Sequence, residues 1–84
     1  MRVTVRLFAR LREIAGDSDW RQEIEEVAPA ASVQDVWRTV VGRHPALEPY
    51  GGSISCAVNA QFARMTAAVR DGDEVAFLPP VSGG

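Results

Sequence analysis

Apolar and polar residues alternate from Arg2 to Phe8. Val3, Val5 and Leu7 fall on one side; Arg2, Thr4, Arg6 and Phe8 fall on the other. A period of two predicts a half-buried strand, with Phe8 an aromatic on its otherwise polar side. Ala9 to Ala15 are good helix formers and end at Gly16, a natural C-cap, so one or two helical turns are expected there. Asp17-Ser18-Asp19 has turn chemistry. Residues 20–26 read as a second strand, with Trp20, Gln22 and Ile24 alternating against Arg21, Glu23 and Glu25. That pattern is mostly polar, as suits a sheet edge.

The period then changes. Val33, Val36, Trp37, Val40 and Val41 form a single apolar stripe at helical spacing within residues 32–44. Ser32 is a good N-cap, Asp35 lies near the positive end of the helix dipole, and Pro45 stops the helix. Residues 46–53 read as a loop, with at most a short turn around Leu47. Ile54, Cys56 and Val58 alternate as a third strand. Asn59-Ala60 is a tight turn, and Gln61 to Met65 a short return strand, giving a hairpin over 54–65. Asp71-Gly72-Asp73 is a turn. Glu74 to Leu78 is the last strand, with Val75 and Phe77 on one face and Ala76 and Leu78 on the other. One sheet crossed by one main helix is an α+β arrangement.

Composition narrows the chemistry. The chain has 84 residues, enough for one domain with a modest core. All nine basic residues are Arg, and His44 and Cys56 are the single His and Cys. Without Lys there is no Walker-type phosphate loop and no Schiff-base amine. One Cys and one His supply neither a disulfide nor a structural zinc site. No metal ligand set is assigned; Glu23-Ile24-Glu25-Glu26 is read as a solvated strand edge. Cys56 is read as core, Trp37 as core, and Trp20 as partly exposed. His44 is assigned no catalysis, because a lone His without an orienting partner is a poor base. A net charge of −2 argues against nucleic-acid binding. No apolar run approaches membrane-spanning length, the N-terminus lacks a signal-peptide stretch, and a lone Cys suits a reducing compartment, so a cytoplasmic location is expected. These shortages point to a binding module or carrier rather than a self-contained enzyme.

The six residues after the last strand are Pro79-Pro80-Val81-Ser82-Gly83-Gly84. Two prolines favour an extended path, two glycines carry no side chains, and the whole spans about 20 Å when extended. The run from Asp71 to Gly84 closely resembles the C-terminus of the molybdopterin synthase small-subunit family, the molybdopterin-converting factor small subunits. Phe8-Ala9-Arg10-Leu11-Arg12-Glu13 is similar to that family's first strand-to-helix junction, and Ala57-Val58-Asn59 to its central hairpin. Residues 17–50 are similar only in pattern. The resemblance implies a ubiquitin-like β-grasp fold, a mixed sheet of about five strands with one main helix across it. It divides the chain into a domain, residues 1–78, and an extended tail, 79–84.

The resemblance also implies a function. A ubiquitin-activating-like adenylyltransferase uses ATP to adenylate the Gly84 carboxylate, and a sulfur donor converts the adenylate to a thiocarboxylate. The large synthase subunit takes up the slim tail, Gly83 included, and sulfur passes to cyclic pyranopterin monophosphate in molybdenum cofactor biosynthesis. The family assembles as a heterotetramer, and the chain would be the non-catalytic sulfur-donor subunit of a sulfurtransferase, binding no cofactor itself. An α-carboxyl is ionised at neutral pH and is a poor electrophile until activated, which fits a chain that is another enzyme's substrate.

Partner contacts are expected from Phe8 and Leu78, which the implied β-grasp fold would set outward at the ends of adjacent parallel strands, and from Pro79, Pro80 and Val81 of the tail. An exposed aromatic–aliphatic pair at the base of the tail reads as a docking patch. Phe62 and Arg12 join them because the family carries a bulky apolar residue and an Arg at the matching places. Arg10 is read as a solvated helix residue. Other readings stay open: a carrier for thiamine, cysteine or tungsten-cofactor synthesis, a ubiquitin-like modifier of protein lysines, or an interaction module with an inert tail.

Overall fold

A computed structural model describes residues 1–16, 21–25 and 27–80. The first strand, β1, is Val3–Leu7, and its burial alternates as its sequence does. Phe8, just past the end of the strand, remains extended and becomes the N-cap of α1, Ala9–Ala15. Gly16 closes α1 at φ 90°, a left-handed cap in which its N–H donates to the carbonyls of Arg12 and Glu13. The second strand, β2, is Arg21–Ile24. The Asp17-Ser18-Asp19 turn, Trp20 and Glu26 lie outside the described residues.

The main helix, α2, is Val33–Arg43, capped by Ser32 and His44. Val33, Val36, Trp37 and Val40 are buried, while Val41, the last of the predicted stripe, is half-buried. Pro45 ends α2 but does not begin a loop: Pro45–Tyr50 is a 3-10 helix with Leu47 fully buried. Proline is pre-set for a first helical position, where its missing N–H costs nothing. Gly51 follows; a Cβ there would come within 3.0 Å of the Trp37 indole nitrogen, so the chain passes close to the ring only because the residue is glycine.

The hairpin is β3, Ser55–Val58, and β4, Gln61–Ala63. Asn59 and Ala60 both have positive φ, 51° and 68°. That pair of conformations makes the primed turn whose twist matches flanking antiparallel strands. The return strand is shorter than expected. Met65 has left the ladder, and its carbonyl instead accepts from the Gln34 N–H at the start of α2. The last strand, β5, is Glu74–Leu78.

The strand order is β2-β1-β5-β3-β4, with β1 and β5 parallel in the middle and the other pairs antiparallel. One face of this mixed five-stranded sheet carries Val3, Val5, Leu7, Ile24, Cys56, Val75 and Phe77, all buried beneath the helices. The Trp37 ring meets Phe77 at 4.9 Å between centroids, tilted by 59°, and joins α2 to the central strand. The other face carries the residues considered next.

Candidate functional site

The outward positions of the five strands line up by register. Arg21 of β2 lies opposite Arg6 of β1, Arg6 opposite Ala76 of β5, Ala76 opposite Ala57 of β3, and Ala57 opposite Phe62 of β4. The row is therefore cationic at one end, small and apolar in the middle, and aromatic at the other end. One step toward the C-terminal end of β5 lie Leu78 and Phe8. The Phe8 N–H donates to the Phe77 carbonyl at 3.2 Å, which fixes Phe8 beside the point where β5 ends.

The two alanines form the floor of a groove of about 240 Å³, walled by Phe8 and Leu78 on one side and Phe62 on the other. Phe62 is 82% exposed, the one large apolar side chain so exposed among the described residues. Phe8 and Leu78 were expected to be exposed; both are half-buried. The Arg6 guanidinium lies over the Phe8 ring, 4.9 Å from its centroid, and covers part of it. Arg6 also pairs with Glu74 at 3.5 Å, and Arg21 donates to the same carboxylate at 2.9 Å. One acid thus lies between two guanidiniums that would otherwise repel across the strands.

The remaining candidates are dispersed. Arg12 is half-buried outside the groove lining, and its Nε is enclosed with no hydrogen-bond partner among the described residues. Arg10 is exposed and pairs with Glu13 at 3.5 Å. Pro79 is half-buried and Pro80 exposed; Val81, Gly83 and Gly84 lie outside the described residues. Cys56 is on the opposite, buried face, where burial pushes its thiol up and Sγ donates to the Ala63 carbonyl at 3.0 Å. Glu23 and Glu25 face Arg2 at 4.0 and 3.5 Å. Among the described residues no group of three or more His, Cys, Asp and Glu side chains could hold a metal ion, and no helix is long and apolar enough to cross a membrane. The face offers apolar area and charge, not a nucleophile beside a base.

Sequence reasoning missed Arg6, Glu74 and the alanine floor. The alternation of β1 and β5 placed Arg6, Ala76 and Leu78 outward, but only the register of β3 on β5 brings Ala57 and Ala76 side by side.

The profile of the ThiS family matches residues 5–84. The molybdopterin synthase sulfur carrier subunit of Chlamydomonas reinhardtii is 35% identical over 86 aligned positions that cover 100% of both chains. The crystal structure of SAMP1 from Haloferax volcanii superposes with a TM-score of 0.85 at 36% identity, again over 100% of both chains. A protein–protein complex of subunits 1 and 2 of molybdopterin-converting factor from Helicobacter pylori contains a chain similar over 100% of each, with a TM-score of 0.66 and 25% identity.

Proposed function

The chain belongs to the ThiS family, and from that premise we propose that it is the sulfur-carrier subunit of a molybdopterin synthase. The carboxylate of Gly84 attacks the α-phosphorus of ATP in an adenylyltransferase and releases pyrophosphate. A sulfur nucleophile then displaces AMP and leaves a thiocarboxylate. The large synthase subunit binds the body, takes the tail and moves the sulfur to cyclic pyranopterin monophosphate. The activating and transferring side chains belong to those partners, and ATP is the activating partner's substrate.

The observation that carries this reading is the exit of the Pro79-Pro80 tail from a central strand directly beside the Phe8–Leu78–Phe62 groove. A partner seated on that groove has the start of the tail at its own edge, and the four residues after Pro80 reach roughly 13 Å further. Glycine at Gly83 and Gly84 lets the backbone enter a cleft that any side chain would block. The Chlamydomonas relative named a molybdopterin synthase sulfur carrier subunit and the two-subunit Helicobacter complex support the assignment to this pathway and a large-subunit partner. Two such subunits on a large-subunit dimer make the heterotetramer that the reading implies, in the cytoplasm.

The likeness to SAMP1, named a small archaeal modifier protein, favours a second reading, attachment of the same tail to protein lysines. Intact-mass measurement after incubation with the adenylyltransferase, ATP and sulfide separates the two. The carrier gains the mass of sulfur minus oxygen and passes it on when the large subunit and pterin substrate are added. The modifier instead appears in amide-linked adducts. Deleting Gly84 abolishes either outcome, and an unchanged mass for the full-length chain would overturn both.

A further inference from the structure

An adenylated Gly84 is an electrophile, and a free amine is its natural competitor for the sulfur nucleophile. The amine nitrogen bonds to the Gly84 carbonyl carbon, AMP departs, the ammonium proton is lost and an amide remains. The 84 residues contain no Lys. The cations around the base of the tail are Arg6, Arg10 and Arg64, whose guanidiniums stay protonated and offer no lone pair. Arg6 lines the groove, and Arg10 lies two residues beyond Phe8. Arg64 follows Ala63, whose partner Cys56 is opposite Phe77, two strand spacings or about 10 Å away.

The amine that remains is the α-amino group of Met1. It donates to the Val27 carbonyl at 2.7 Å, and the Val27 N–H donates back to the Met1 carbonyl at 3.3 Å, prolonging the pairing of β1 with β2. Leu7 is opposite Phe77 and Met1 is six residues earlier, so this amine is roughly 20 Å from the end of β5. The tail spans about 20 Å only when straight, and must double back to approach it. Cys56 is no substitute: its thiol is on the covered face, is pushed up by burial and donates to the Ala63 carbonyl. An adduct on His44 would be an acyl-imidazole, which water cleaves.

We propose that the chain is an acyl donor and not an acceptor: an activated Gly84 neither closes on its own body nor joins a second copy. The inference rests on the activation of Gly84 in the carrier reading. It adds that the sulfur nucleophile meets no competing amine on the carrier, so activation without sulfur ends in hydrolysis and not in self-conjugates. Were the tail attached to protein lysines instead, each target lysine would hold one copy and never a chain of copies.

Incubation with the adenylyltransferase and ATP, sulfide withheld, tests this by intact mass and denaturing gel, with pyrophosphate release as a separate measure of activation. The wild type should release pyrophosphate and show neither the loss of one water that marks an internal amide nor a band of doubled mass. Arg10→Lys and Arg64→Lys, at exposed positions, keep the charge and should release pyrophosphate like the wild type while gaining the self-conjugated product. An amine tethered near the tail acts at an effective concentration on the order of millimolar, so the internal amide should exceed the dimer at least about 10-fold at micromolar protein. Thermal unfolding establishes that each variant is folded. Wild-type self-conjugates, mapped to Met1 by peptide sequencing, would overturn the inference and leave the carrier reading standing. So would folded lysine variants that release pyrophosphate yet form no conjugate, since something other than the missing amine would then protect the tail. A folded wild type that releases no pyrophosphate removes both.

Discussion

Ser32 and Asp35 show how much a single local pair can fix. The Ser32 N–H and hydroxyl both donate to Asp35 Oδ2, at 2.9 and 3.1 Å, and the Asp35 N–H donates back to the hydroxyl at 3.3 Å. This reciprocal box satisfies donors that the first turn of α2 would otherwise leave unpaired. Ser32→Ala should destabilise the protein by about 1 kcal/mol, read as a fall in thermal midpoint of about 4–8 °C for a domain of this size. The backbone hydrogen bond from Ser32, then its hydroxyl, holds the Asp35 carboxyl below the usual carboxylate range. A carboxyl depressed by folding stabilises the native state above its unfolded value of about 3.9 and loses that effect as pH falls through its folded value. The stability gap between wild type and Asp35→Asn should therefore be present at neutral pH and close in strong acid, as followed by thermal unfolding across that range. This pair was legible in the sequence because its members are three residues apart. The Arg6–Glu74–Arg21 arrangement was not, because its members come from three separate strands.

At the scale of elements, the strands, both α-helices and the hairpin follow from periodicity and turn residues, and each departure has a local cause. The Pro45–Tyr50 helix reads from the sequence only as a loop with a short turn around Leu47, because two prolines in six residues look like loop punctuation. Its positive signals were Leu47 and a proline suited to a first helical position. The hairpin turn was placed correctly at Asn59-Ala60, but the cost of that sequence was not visible. Asn tolerates positive φ; Ala does so against its Cβ, a penalty of roughly 1–2 kcal/mol. Ala60→Gly removes that strain and, after the greater entropy of an unfolded glycine, should raise stability by about 0.5–1 kcal/mol in a denaturant titration. A destabilised Ala60→Gly would mean that the alanine methyl, which borders the groove, contributes more than its backbone costs.

The whole molecule brings together what no segment contains. The groove needs β1, β5, β3 and β4 in one register, and the sequence alone supplied Phe62 to it only through family resemblance. The order of the strands has one more consequence. Because β1 and β5 are parallel and adjacent, the start of β1 and the end of β5 lie at opposite ends of the sheet. A pull on the tail with the N-terminal end held loads the rungs from Thr4–Glu74 to Leu7–Phe77 in shear, all together. The same pull against Ser55, the antiparallel neighbour of Leu78, peels β5 from β3 one rung at a time. Forced unfolding follows the rate of barrier crossing rather than equilibrium stability, so direction alone should change it. In single-molecule force spectroscopy, handles at Arg2 and Pro80 should give a markedly higher rupture force than handles at Ser55 and Pro80; equal forces would show that the central pair bears no special load. Tension applied along β5 with the start of β1 held is thus borne by the parallel central pair, the direction in which the sheet resists it best.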